Sequence, residues 1–150
     1  MILVTIDPGR SSGIAWWDLE ASALLSVRSV DPDRLTYGAL RSSSLSTVTR
    51  IVWERPVFRG GRGVTAPVDD LVTLAYRAGV IVGALVSWQT HPPVVESITP
   101  AGWKGQTPKD VSHARIRAAL REDERALIPA RAPGDVWDAV GIGLRLLRRA

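Results

Sequence analysis

Asp7 ends an apolar run that begins at the N-terminal Met1, and Glu54 ends the short apolar run Ile51-Val52-Trp53. An acid at the end of a strongly apolar segment is desolvated on one side, which disfavours its charged form. Asp135 and Asp138 follow Pro133-Gly134 at the start of a helical stretch, and their spacing of three puts both on one helix face. If the strands ending in Asp7 and Glu54 lie side by side, the two acids emerge together and the helix can lay its aspartates over them. Four converging carboxylates repel one another unless cations neutralise them, and an all-oxygen donor set suits Mg²⁺ or Mn²⁺. Singly, each acid has an ordinary explanation: Asp7 as a turn cap, Asp135 as a complement to a helix dipole, Glu54 as an ion-pair partner of Arg55 or another arginine. Jointly those explanations fare worse, because the same strand-end arrangement occurs twice beside basic, glycine-rich loops.

The elements that must position these acids follow from hydrophobic pattern and turn residues. Apolar runs at 1–7 and 12–18 flank Asp7-Pro8-Gly9-Arg10-Ser11-Ser12-Gly13, a hairpin signal. A third strand is predicted over 23–30. Asp31-Pro32 then offers an N-cap with proline at the first helical position, predicting a helix to about Ser43. A short strand over 51–54 leads into a loop from Phe58 to Gly63. A helix over 68–87 follows, with acids in its first turn, then a last strand over 93–98 and a short helical turn from Thr99-Pro100 to Lys104-Gly105. Thr107-Pro108-Lys109-Asp110 has capping-box spacing and predicts a helix to about Arg121. Residues 122–132 read as a connection. A final helix starts after Pro133-Gly134 and runs to the C-terminus, where Arg145, Arg148 and Arg149 suit the negative helix end. Three strands followed by alternating helices and strands make an α/β architecture, a mixed sheet covered by helices, in a single domain over 1–150.

Composition narrows the function classes. With 150 residues, 45% apolar and 23% charged, the chain is expected to fold as a soluble globular domain. It has no cysteine, so disulfides, thiolate zinc sites and cysteine nucleophiles are excluded, and an intracellular, cytoplasmic setting is expected. The apolar stretch 71–88 carries Arg77, Gly79 and Gly83 and reads as a buried helix, so no membrane role is expected. Net charge is +4, from 19 basic and 15 acidic residues; with four acids occupied by metal, 19 basic against 11 acidic leaves +8. That balance favours a polyanionic partner. Gly9-Arg10-Ser11-Ser12-Gly13 matches the glycine-x-serine-x-glycine elbow of serine hydrolases, but the elbow needs a following helix, and Ile14-Ala15-Trp16-Trp17 reads as a strand. His91 and His113 lie far apart without cysteines, giving zinc little support, and no phosphate-binding loop of the glycine-lysine-serine type occurs.

In four places, in order and with similar distances, the chain resembles the RuvC-like Holliday junction resolvases of the RNase H-like superfamily. These are the strand into Asp7-Pro8-Gly9 with Gly13, then Ile51-Val52-Trp53-Glu54 with Phe58, then Thr99-Pro100 through Trp103-Lys104 with Lys109, then Asp135-Val136-Trp137-Asp138-Ala139. The resemblance covers most of the chain. It implies a five-stranded mixed sheet with helices on both faces. It further implies a metal-dependent endonuclease holding two Mg²⁺ (or Mn²⁺) ions on Asp7, Glu54, Asp135 and Asp138, and leaving a 5′ phosphate and a 3′ hydroxyl. Lys104 and Lys109, the only lysines against seventeen arginines, match the family's basic positions and would contact the scissile phosphate or its neighbours.

Phe58, Arg59 and Arg62 form a loop resembling the family's junction-probing loop, with an aromatic for an unpaired base, arginines for phosphates and glycines for mobility. Arg10 is expected to be a further DNA contact. The resemblance also implies a homodimer built on the long helix, where Gly79 and Gly83 permit close approach, so that two sites cut opposing strands of a four-way junction. Branched DNA is therefore the expected partner, as four-way junctions, flaps or forks, in a bacterial or bacteriophage setting. The alternatives are a ribonuclease H cutting RNA–DNA hybrids, which usually carries its glutamate on a helix, an ATP-binding relative of the same core, and a non-catalytic junction-binding protein.

Overall fold

The structure, a computed structural model, describes residues 1–35, 40, 47–57 and 68–149. Five strands form one sheet: β1 (Ile2–Asp7), β2 (Ser12–Asp18), β3 (Ala23–Val30), β4 (Val48–Glu54) and β5 (Val94–Ile98), in the spatial order β3-β2-β1-β4-β5. The β1–β2 and β2–β3 pairs are antiparallel, and β1–β4 and β4–β5 are parallel, so the sheet is mixed. Every residue of β1 is buried, which explains its unbroken apolar run: a central strand covered on both faces has no polar side.

Helices cover both faces. On one, α1 (Val68–Ser87) packs Ile81 and Leu85 against Val4, Ile6, Ile14, Trp16 and Ile51. On the other, α3 (Lys109–Ala119) and α5 (Gly134–Leu146) pack Ile116, Val136, Val140 and Leu144 against Leu3, Ala15, Trp17 and Val52. A buried polar link crosses this second layer: the Trp17 indole donates to Thr5 Oγ1 at 3.1 Å, and that hydroxyl donates to the Ala139 carbonyl at 2.7 Å. It pins α5 over the β1–β2 hairpin, with its N-terminus at the end of the sheet where β1 and β4 finish.

Several sequence expectations are corrected. Asp31 does cap a helical turn, accepting from the Asp33 amide, but the turn is a 3₁₀ segment, Pro32–Arg34, and Leu35 is already extended. The remainder of that expected helix lies almost wholly outside the described residues. β4 starts at Val48, three residues early, because Ile2 recruits Val48 into the parallel ladder. Thr107 does not cap α3; Pro108 holds the N-cap position and no side chain bonds there. The stretch 122–132 contains a helix, α4 (Glu122–Ala126), and α5 stops at Leu146 short of the terminus. α1 is long and apolar enough to cross a membrane, yet its Ala78, Ile81 and Leu85 are buried, so one side of it belongs to the core.

Candidate active site

Parallel pairing of β1 with β4 sets Ile6 opposite Trp53, so the next residue on each strand, Asp7 and Glu54, emerges at the same end of the sheet. The β1–β2 turn folds on itself, Ser12 Oγ bonding the amide and carbonyl of Gly9, which is the hairpin the sequence predicts and not a hydrolase elbow. Its two glycines admit α5. A Cβ on Gly13 would fall 2.0 Å from the Asp135 carbonyl oxygen, and one on Gly9 would fall 2.3 Å from an Asp135 carboxylate oxygen. Only with both side chains absent can the first turn of α5 rest on the hairpin and bring Asp135 and Asp138 beside Asp7.

The acids feel one another. Burial, followed by the charges of Glu54, Asp138 and Asp135, pushes Asp7 up to about 9 against only a small lowering by Lys104. Glu54 and Asp135 are also raised, chiefly by burial, with Lys104 and Lys109 working in the other direction. Asp138, 4% exposed, is held on both oxygens: His113 Nε2 lies 3.0 Å from Oδ1, and Lys104 Nζ lies 3.3 Å from Oδ2 with Lys109 Nζ at 3.8 Å. Lys104 also reaches Glu54 at 3.9 Å, and the Trp103 indole donates to the same Glu54 oxygen.

Among the described residues, no three acidic or imidazole groups are drawn together closely enough to grip an ion as they stand. The donor chemistry nevertheless fits hard divalent cations: four carboxylates face two lysines, all the acidic donors are oxygen, and Asp7 is too desolvated to ionise readily without added positive charge. Asp7, Glu54, Asp135 and Asp138 are therefore the residues that would hold Mg²⁺ or Mn²⁺.

Of the remaining expected site residues, Lys104 and Lys109 are at the site and Arg10 is exposed on the adjoining turn. Phe58, Arg59 and Arg62 lie outside the described residues. Two site residues carry roles the sequence reading did not assign. His113, set aside for want of zinc partners, is bonded to Asp138; its spacing of four from Lys109 was the available signal, since that places both on one face of α3. Trp103, quoted only as part of a motif, orients Glu54.

No protein-family model matches the chain, and no curated protein matches it by sequence. Solved structures do. A Thermus thermophilus RuvC in complex with a Holliday junction substrate is similar to this chain with a TM-score of 0.60 and 16% identity, over 97% of this chain and 92% of that one. A second Thermus thermophilus RuvC structure is similar with a TM-score of 0.56, also at 16% identity, with the same coverage. At this identity the likeness establishes the fold: the chain has the RuvC-like form of the RNase H-like architecture, with its mixed five-stranded sheet.

Proposed function

We propose that the protein is a metal-dependent, structure-selective endodeoxyribonuclease that cuts four-way junctions or other branched DNA, leaving a 5′ phosphate and a 3′ hydroxyl. The observation that carries this reading is Asp7, buried at the end of the central strand among Glu54, Asp135 and Asp138, in a fold shared with a protein solved on a Holliday junction. Two divalent cations bound there would make water a nucleophile near neutral pH and offset charge on the leaving oxygen.

The chain's own residues prepare the place. Trp103 fixes the Glu54 carboxylate, and His113 fixes Asp138 through the oxygen that the lysines leave free. Lys104 and Lys109 stand at the rim, 22% and 60% exposed, where an ammonium can meet a phosphate oxygen of the strand being cut. Arg10 would hold the same backbone from the hairpin side. A second copy of the chain would set two such sites in symmetric relation, one for each of two opposing strands.

The deciding experiment offers a labelled four-way junction, a fork, plain duplex and an RNA–DNA hybrid with Mg²⁺ or Mn²⁺. Symmetric nicking of the junction, abolished by Asp7→Asn or Asp138→Asn while DNA binding persists, is expected. Preferential cutting of the plain hybrid would replace the reading with a ribonuclease H, and binding of the junction by the wild type without any cleavage would reduce it to a junction-binding protein.

A further inference from the structure

Lys104 has a second environment. On the side of Trp103 away from Glu54, a pocket of about 120 Å³ opens between the α2 turn (Pro100–Trp103), α3 and α5. Lys104, Arg115 and Arg145 line it, together with the hydroxyl residues Thr107 and Ser112. The volume is below the roughly 300–1,000 Å³ of sites that enclose a small molecule. It continues into an open trough by way of Arg145, which lines both, and Arg148 also lines the trough. Among the described residues no carboxylate lines either part, and no acid pairs with Arg115, Arg145 or Arg148. Three uncompensated arginines thus continue from the acid-paired active-site lysine, Arg115 on α3 and Arg145 and Arg148 on and just past the end of α5.

Backbone conformation at Arg148 supplies a second, independent observation. α5 ends in a Schellman-type closure, the Arg149 amide bonding the Leu144 carbonyl at 2.8 Å, and the position that must turn left-handed is Arg148, with φ of 55°. Glycine is the residue this position favours, since any Cβ there is crowded. The chain places an arginine in the strained position, and its side chain lines the trough. Arg149, by contrast, turns away to the buried Glu124 and takes no part.

We infer that this groove is a second nucleic-acid contact, a track for the phosphodiester backbone of the DNA strand leaving the cut site. The inference rests on the nuclease reading for its occupant. Arg145 lies seven residues along the helix from Asp138, about 10 Å at 1.5 Å per residue, and Arg148 about 4–5 Å farther. At about 3.4 Å of axial advance per nucleotide, the two arginines meet phosphates roughly three and four nucleotides from the cut.

The test measures binding of the full chain to a four-way junction by fluorescence anisotropy across a salt series without divalent ions, beside single-turnover nicking at saturating DNA with Mg²⁺. Arg145→Gln with Arg148→Gln should weaken binding about 5- to 20-fold and make the log–log salt dependence shallower by about 1.4 to 1.8, the sum for two phosphate contacts. The nicking rate at saturation should hold. Neutral methylphosphonates at the third and fourth phosphates from the cut should weaken the wild type and leave the double variant unaffected. Arg148→Gly should raise the melting temperature by relieving the turn and still weaken DNA binding, a pairing that a merely structural arginine would not produce. Arg34→Gln, on the opposite face of the sheet, is the remote control, one positive charge lost against the double variant's two. Binding and salt slope indistinguishable between Arg34→Gln and the double variant would overturn the track. If the wild type binds junctions without cutting them, the nuclease reading fails, and weakened binding by the groove variants would still uphold the track.

Discussion

Asp7 concentrates the electrostatic tension of the site in one side chain. A carboxyl whose folded-state pKa stands near 9, against 3.8 for the free side chain, keeps a proton in the fold that the unfolded chain releases. Its contribution to stability is therefore complete below about pH 4 and drains away as pH rises towards 9. Without divalent ions, the melting temperature of the wild type should fall as pH rises from 5 to 8.5, and Asp7→Asn, which keeps the shape and has no charge to suppress, should flatten that slope and melt several degrees higher at pH 8. Mg²⁺ or Mn²⁺ should raise the wild-type melting temperature at pH 8 and leave Asp7→Asn nearly unmoved, because ligands stabilise only the state that binds them. Differential scanning fluorimetry reads all of these; a slope unchanged by the substitution would separate Asp7 from the pH response. The four acids could be picked out along the chain because strand ends and helix starts are local patterns. His113 had only its spacing of four from Lys109 as a local mark and Trp103 had none: each matters through a contact 25 or 49 residues away that only the folded sheet creates.

Secondary elements were legible in proportion to their self-sufficiency. The β1–β2 hairpin announces itself through apolar runs around a glycine-rich turn, and α1 through its length and its acidic first turn. α4 has five residues, too few to be stable by propensity, and exists because tertiary partners hold Glu124. That carboxylate is 1% exposed and accepts from Arg149 at 2.6 Å, from Arg121 and from the Leu24 amide, tying α4 to β3 and to the end of α5. Burial alone would raise Glu124; the bonds from Arg149, Leu24 and Arg121 overcome it and hold the group down at about 2. Its stabilisation is present above about pH 4.5 and is lost as pH falls towards 2. Replacing one partner of a buried pair strands the other, so Glu124→Gln should cost about 3–5 kcal/mol at pH 7 in urea unfolding, with the gap to wild type narrowing in acid. The terminal arginines looked alike as complements of a helix dipole, and the fold separates them: Arg149 enters this pair while Arg145 and Arg148 face the groove.

At the scale of the whole molecule, α1 has one apolar stripe too many for a helix that packs on a single sheet. Ala78, Ile81 and Leu85 are buried in the core, while Val72 and Tyr76 are more than 60% exposed and continue, at steps of four, three and four, through Gly79 and Gly83, beside which space is open. Those steps define one helix face, and its two glycines let another helix approach closely. We propose that the same face on a second copy, related by a two-fold axis, covers this stripe, as the proposed paired cutting would require. Light scattering on the wild type at micromolar concentration should then give twice the 16.3 kDa chain mass. Tyr76→Glu, which places a charge in the middle of the stripe and leaves the buried face alone, should give the single mass with an unchanged circular dichroism spectrum. On a junction, the monomeric variant should keep nicking one strand at a time while losing the near-simultaneous second cut that releases linear products. A wild type that stays monomeric yet still makes paired cuts would show that α1 serves the sheet only, and that the symmetry of cutting comes from the DNA.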